Sequence, residues 1–278
     1  MIFIFRRILK IIVICILVGS LGVLFKLLVW DTRISSQTNE EAQEIYHDES
    51  ITPEEKFSSL SDLNSDICGW IRIDGTKIDY PVVKASQDDP TYYLSHNFKG
   101  EESKYGSILI DPNCSLVGAS KNITLYGHHM ADGQMFADLM KFSDVEFYKQ
   151  HPIIEFNTNR ENAHWKIISV FKTNTLSSQG EIFNYTVANF IRDKDFLSFI
   201  DEVKKRSLID TGIDANQNDT LITLSTCSYE FEGFRTVVVA RKVRKDESDE
   251  IDKSLVTKAA NPLMPQCWYE KYGGSAPS

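Results

Sequence analysis

Residues 220–243 read TLITLSTCSYEFEGFRTVVVARKV. Two runs rich in β-branched residues, 220–226 and 235–243, flank a short polar connection that contains one glycine, and this content favours strands over helix. Cys227 stands where the first run ends and Arg235 opens the second. If the runs pair as antiparallel neighbours, both side chains lie at one end of a sheet. A thiol beside a guanidinium is a plausible nucleophile, because nearby positive charge favours the thiolate. A cysteine that closes a strand is also often no more than a small buried hydrophobe. The local pattern does not choose between the two.

A second stretch adds weight to the chemical reading. Residues 123–130 read ITLYGHHM, an apolar β-type run ending in glycine and two histidines. A cysteine nucleophile needs a base or a cationic partner, and histidine titrates in the right range.

These motifs carry a resemblance. TLSTC followed by an arginine eight residues on, with YGHH upstream, resembles the sortases, and class B among them. Further matching stretches are GWIRIDGTKIDYPVV at 69–83, YYLSHNF at 92–98 and GSILID at 106–111. The similarity extends over roughly residues 67–243. It implies an eight-stranded sortase-type β-barrel with added helices, and a cysteine transpeptidase in which Cys227 is the nucleophile, His128 the proton donor and acceptor, and Arg235 a holder of the substrate backbone or oxyanion. Arginine carries no titratable proton at working pH, so it is not the base. His129 is the lesser candidate, since neighbours on an extended chain point opposite ways. Ser225, Thr226, Tyr126, Leu94 and Tyr185 fall where the resemblance expects a peptide groove. Ordinary strand filling or a packed aromatic is the alternative for the two hydroxyl residues and for Tyr185.

The same resemblance implies partners: secreted proteins bearing a C-terminal NPxT-[Gly/Asn/Ser] sorting signal cut after the threonine, and a peptidoglycan precursor amine as acceptor, in a Gram-positive cell. Three alternatives stay open: a pilin-polymerising sortase, a hydrolytic cysteine peptidase, and a catalytically idle, membrane-tethered binding module.

The remaining sequence is read from its residues. Strand signals recur at 70–73, 77–83, 106–110, 122–126, 153–157, 164–172, 220–226 and 236–243, which by number and spacing suggests a mainly β, closed or nearly closed barrel. Helical patterns interrupt at 135–149 and 193–207; the latter places Phe196, Phe199, Ile200 and Val203 on one face. Residues 8–30 are long and apolar enough for a spanning helix and lack an A-x-A-like cleavage site, and Arg6, Arg7 and Lys10 precede the uncharged core. Residues 1–30 are therefore expected to be a cytoplasmic stub and signal-anchor, with the bulk of the chain outside the cell. Residues 31–50 read as a polar stalk. The catalytic domain, 51–243, opens with Thr52, Pro53 and Glu55 in a helix-start signature before Phe57, Leu60 and Leu63. Residues 244–278 read as an acidic tail of low order.

Composition narrows the partners. The net charge is −9 with no basic block beyond the N-terminus, which argues against nucleic acid. Five cysteines show neither metal spacing nor a dense disulfide framework, and adjacent histidines do not readily share one tetrahedral ion. Acyl transfer through a thioester needs no cofactor, so none is expected.

Overall fold

The computed structural model describes residues 2–118 and 120–277. The first helix, α1 (Ile2–Phe25), contains the 20-residue stretch Arg6–Phe25, which has a mean hydropathy of 2.8, is long and apolar enough to cross a membrane, and has none of its surface buried. A π-helical turn, Lys26–Trp30, carries the backbone into α2 (Asp31–Tyr46) without a break.

Here the structure departs from the polar stalk read at 31–50. Helix α2 lies on the body of the protein, and it does so mostly through polar atoms. Ser35 donates to Gln134 Oε1 at 3.0 Å and Gln43 donates to the Asp79 carbonyl at 2.8 Å. Tyr46 stacks flat on Trp70, 4.2 Å between centroids, and its hydroxyl accepts from Asn157 at 2.6 Å. Ala42 is the one fully buried apolar residue of this helix. Its apolar contacts, Ala42 with Ile45 and Tyr46, are confined to the C-terminal end of the helix, which is too short a stripe for a periodicity argument to find.

Helix α3 (Pro53–Leu63) starts as the sequence predicts. Glu55 N donates to Thr52 Oγ1 while Thr52 N donates to the Glu55 carboxylate, with Pro53 at the first helical position. Its buried residues are Phe57 and Leu60.

Among the described residues, eight strands close into a barrel. They are β1 (Ile67–Arg72), β2 (Asp79–Val83), β3 (Ile108–Ile110), β4 (Asn122–Tyr126), β5 (Ile153–Asn157), β6 (Asn162–Thr173), β8 (Leu221–Cys227) and β9 (Arg235–Lys242), in the spatial order β1-β2-β3-β4-β8-β9-β6-β5. The contacts β2–β3 and β4–β8 are parallel; the other pairs are antiparallel. A two-stranded ribbon of β7 (Ile209–Asp210) and β10 (Thr257–Lys258) lies outside the barrel. The helix expected at 135–149 is two pieces: a 3₁₀ stretch, Ala137–Ser143, and α4 (Val145–Gln150). Asp144 separates them because its carboxylate caps the second, accepting from Phe147 N at 2.8 Å. Helix α5 (Asp193–Lys205) buries Phe196, Phe199, Ile200 and Val203 against the outer face of the barrel, as its spacing predicts.

The segment after Val243, expected to be of low order, is built into the molecule. Glu247 accepts two hydrogen bonds at 2.6 Å from the buried Arg241 and one at 2.8 Å from Lys166. Val256 enters the main core, β10 pairs with β7, and a final helix, α6 (Gln266–Tyr272), follows.

Candidate active site

Three strands bring the sequence motifs together. In the parallel β4–β8 pair Tyr126 lies opposite Ser225, so the residues after each, Gly127-His128 and Thr226-Cys227, lie at the same end of the barrel. In the antiparallel β8–β9 pair Cys227 lies opposite Arg235. Residues that are far apart in sequence thus meet at one rim because hydrogen-bonded register fixes which residue faces which.

The rim is fastened from beneath. Gly127 N donates to the Ser225 carbonyl at 3.2 Å, and Thr226 Oγ1 donates to the Gly127 carbonyl at 2.8 Å. Gly127 has to be glycine, since a Cβ there would lie 2.5 Å from Ile108 Cδ1 and 2.8 Å from the Phe136 ring. The Ser225 hydroxyl is bonded to that of Tyr185 at 2.9 Å, with both residues buried; burial raises the Tyr185 pKa, and the Ser225 bond opposes this only in part. The hydroxyls of Ser225 and Thr226 are therefore both engaged within the protein and form the floor beneath Cys227. Tyr126 donates to Asp111 at 2.6 Å; burial, together with this hydrogen bond, raises its pKa.

The two histidines diverge, as alternation on an extended chain requires. His128 Nε2 donates to the Leu94 carbonyl at 2.7 Å. The contribution of Leu94 to the histidine is thus a backbone oxygen, while its side chain is exposed. His129 turns toward the cysteine backbone: Nδ1 donates to the Cys227 carbonyl at 3.1 Å. Its ring lies 4.7 Å from that of Tyr229, whose hydroxyl donates to the His129 carbonyl at 2.8 Å.

Cys227 is a partly exposed free thiol. The other thiols outside α1 sit in surroundings that disfavour ionisation: burial pushes Cys68 up to about 12 and raises Cys114 and Cys267 as well. Arg235 is half-buried, donates to the Phe234 carbonyl at 3.0 Å, and has no carboxylate within ion-pair distance among the described residues.

Sequence reasoning missed one buried group. Lys172, in β6, is 7 % exposed and lies opposite Thr236. Its ammonium donates to Ser228 and Thr236 and pairs with Glu230. Burial raises the Glu230 carboxyl, but the hydrogen bonds from Lys172 and Ser228, with the lysine charge, outweigh it and hold the group below the usual carboxylate range. A lysine directly after the apolar run 167–171, broken only by Ser169, was the available signal.

Comparison with known proteins agrees with this geometry. The family described as "Sortase domain" matches residues 71–243. The chain is 35 % identical over 200 residues to sortase B of Staphylococcus aureus, covering 71 % of this chain and 78 % of that protein. It is 35 % identical over 193 residues to sortase B of Listeria monocytogenes, covering 69 % and 75 %. A solved Staphylococcus aureus sortase B–substrate complex superimposes with a TM-score of 0.70 at 31 % identity, over 78 % of this chain and all of that one. Sortase B from B. anthracis in complex with AAEK1 gives 0.68 at 31 % identity over the same shares.

Proposed function

The chain belongs to the sortase family, a family of cysteine transpeptidases, and similarity to sortase B defines its branch; from that premise we propose that it cleaves an NPxT-[Gly/Asn/Ser] sorting signal and joins the released carboxyl end to a cell-wall amine. The observation that carries the reading is the shared register of β4, β8 and β9, which gathers the His128, Cys227 and Arg235 backbones at one rim.

The chemistry follows from these groups. The Cys227 thiolate attacks the threonine carbonyl of the signal, and Arg235 stabilises the oxyanion or holds the adjoining backbone. As the C–N bond breaks, His128 in its protonated form gives a proton to the departing amine. A thioester remains on Cys227. An amine of a peptidoglycan precursor then attacks it, loses its proton to His128, and the thiolate leaves. The result is a new amide and a regenerated enzyme.

Residues 1–30 act as an uncleaved anchor, with the cytoplasmic end marked by Arg6, Arg7 and Lys10 and the barrel outside. The unbroken helical backbone from α1 into α2 supports a direct, short connection between the anchor and the catalytic unit. The enzyme would thus stand beside both a secreted substrate and a lipid-linked acceptor.

The test uses a soluble chain that begins at residue 31, wild type and Cys227→Ala, incubated with NPQTG- or NPQTN-type peptides with and without an added amine. Mass spectrometry is expected to show cleavage after threonine, an acyl adduct on Cys227 and an amine-bearing product. Hydrolysis that ignores the amine would assign a peptidase instead. Absence of any adduct across the peptide panel would leave a binding module.

A further inference from the structure

The connection between Cys227 and Arg235, residues 228–234, contains no helix or strand, yet it is held along nearly its whole length. From inside the barrel Lys172 bonds Ser228 and Glu230. From the loop after β6, Gln179 donates to the Glu232 carbonyl and Thr175 to the Gly233 carbonyl, each at 2.8 Å. The outer face of Phe231 is covered by α6, in the C-terminal segment.

That segment takes a specific route. β9 begins at the catalytic rim with Arg235 and ends at the opposite end of the barrel with Lys242. The chain is anchored there by Glu247 on Arg241, returns past α5, where Leu263 N donates to the Lys205 carbonyl at 2.8 Å, and brings α6 back to the rim. There the rings of Trp268 and Tyr272 lie 6.4 and 6.1 Å from that of Phe231. Lys271 sits 4.6 Å over the Phe231 ring and donates to the Glu230 carbonyl at 3.2 Å. The helix also seats on Gly180, where a Cβ would come within 2.9 Å of the Gln266 backbone nitrogen. It thereby touches both the connection and the loop that braces it.

We propose that α6 is a positioning element for catalysis: by clamping Phe231 and Glu230 it holds the connection in the one arrangement that aligns Arg235 with Cys227. Residues 244–277 lie beyond the stretch matched by the family, 71–243. The inference rests on the transpeptidase reading for its kinetic consequence and on geometry alone for its structural one.

The test compares the full chain in detergent micelles with its Trp268→Ala/Tyr272→Ala variant, whose substituted side chains lie outside the core clusters. Hydrogen exchange is expected to accelerate in 228–234 and not in the barrel strands, with thermal unfolding of the barrel unchanged. Single-turnover acylation of Cys227 by an NPQTN-type peptide is expected to slow about tenfold. In an Arg235→Ala background the double substitution should slow acylation no further, because the group it aligns is gone. Unchanged exchange in 228–234, unchanged acylation, or a full tenfold effect in the Arg235→Ala background would each overturn the proposal. If the wild-type chain is acylated by no such peptide, the transpeptidase reading fails, and the exchange comparison still decides whether α6 clamps the connection.

Discussion

Cys227 and Arg235 face each other as register partners across the antiparallel β8–β9 pair. Directly opposed residues in such a pair have α-carbons about 4.5–5.5 Å apart, so the ladder of hydrogen bonds sets the separation of the two backbones, though not the position of the long Arg235 side chain. This rim has only partial burial at both positions, which leaves room for an extended peptide to lie across it.

Arg235→Ala should lower kcat by about 10²–10³, the effect of removing one oxyanion donor, while the peptide adduct still forms on Cys227. Arg235→Lys should recover little, because an ammonium lacks the planar fork of donors. Steady-state kinetics with intact-mass analysis of the trapped adduct measures both. A shift of the adduct to another residue would remove Cys227 from its assigned role.

The histidines separate by substitution. His128→Ala should reduce turnover by about 10²–10⁴, the usual range for losing a general acid–base group. His129→Ala removes a hydrogen bond to the Cys227 carbonyl and should cost much less. Equal losses, or the reverse order, would transfer the proton-transfer role to His129.

Tyr185→Phe leaves the buried Ser225 hydroxyl without its partner and should destabilise the protein by about 1–2 kcal/mol. Chemical denaturation of the chain from residue 31 reads this directly. An unchanged midpoint would mean that Ser225 finds another acceptor.

Acid stability should depend on Glu247. The hydrogen bond from Arg241 is the largest influence on its carboxyl; with those from Lys166 and the Arg244 backbone it outweighs burial and holds the group well below the usual carboxylate range. A depressed folded pKa contributes stability that is present above the unfolded value and is lost as pH falls through the folded one, so the contribution declines below about pH 5. Glu247→Gln should cost about 2–3 kcal/mol at pH 7, the low end for breaking a buried pair because the glutamate is a quarter exposed. The cost should shrink in acid. Urea titrations at pH 7 and pH 4 check both statements, and a pH-independent difference would contradict the second.

Helix α2 should contribute to the folded state. Tyr46→Ala loses the stack on Trp70 and the bond from Asn157, and should lower stability by about 2 kcal/mol. A chain begun at residue 50 should unfold at a lower temperature than one begun at residue 31, by differential scanning calorimetry.

The barrel was legible because strand signals are local. Alternation and β-branching along 122–126 and 153–157 match the observed strands residue for residue, and the Thr52–Glu55 capping box announces α3 from four residues. The TLSTC and YGHH stretches pointed to the candidate site for a related reason, since each places its candidate residue at or just beyond a strand end. The exchange of roles within the site was not legible. Leu94 serves His128 through a carbonyl, Ser225 and Thr226 spend their hydroxyls on Tyr185 and Gly127, and Lys172 fills a buried position under the connection.

Elements, their order and the residues at strand ends follow from the sequence, because each depends on neighbours within a few positions and on a period of two or 3.6. Tertiary structure determines what lies against the barrel from outside it. The polar helix α2 and the C-terminal α6 carry weak periodic signals and dock through pairs separated by tens of residues: Tyr46 with Trp70, Lys271 with Glu230. Such contacts exist only once the barrel has closed and brought its surface groups into fixed positions, so no local pattern in the chain announces them.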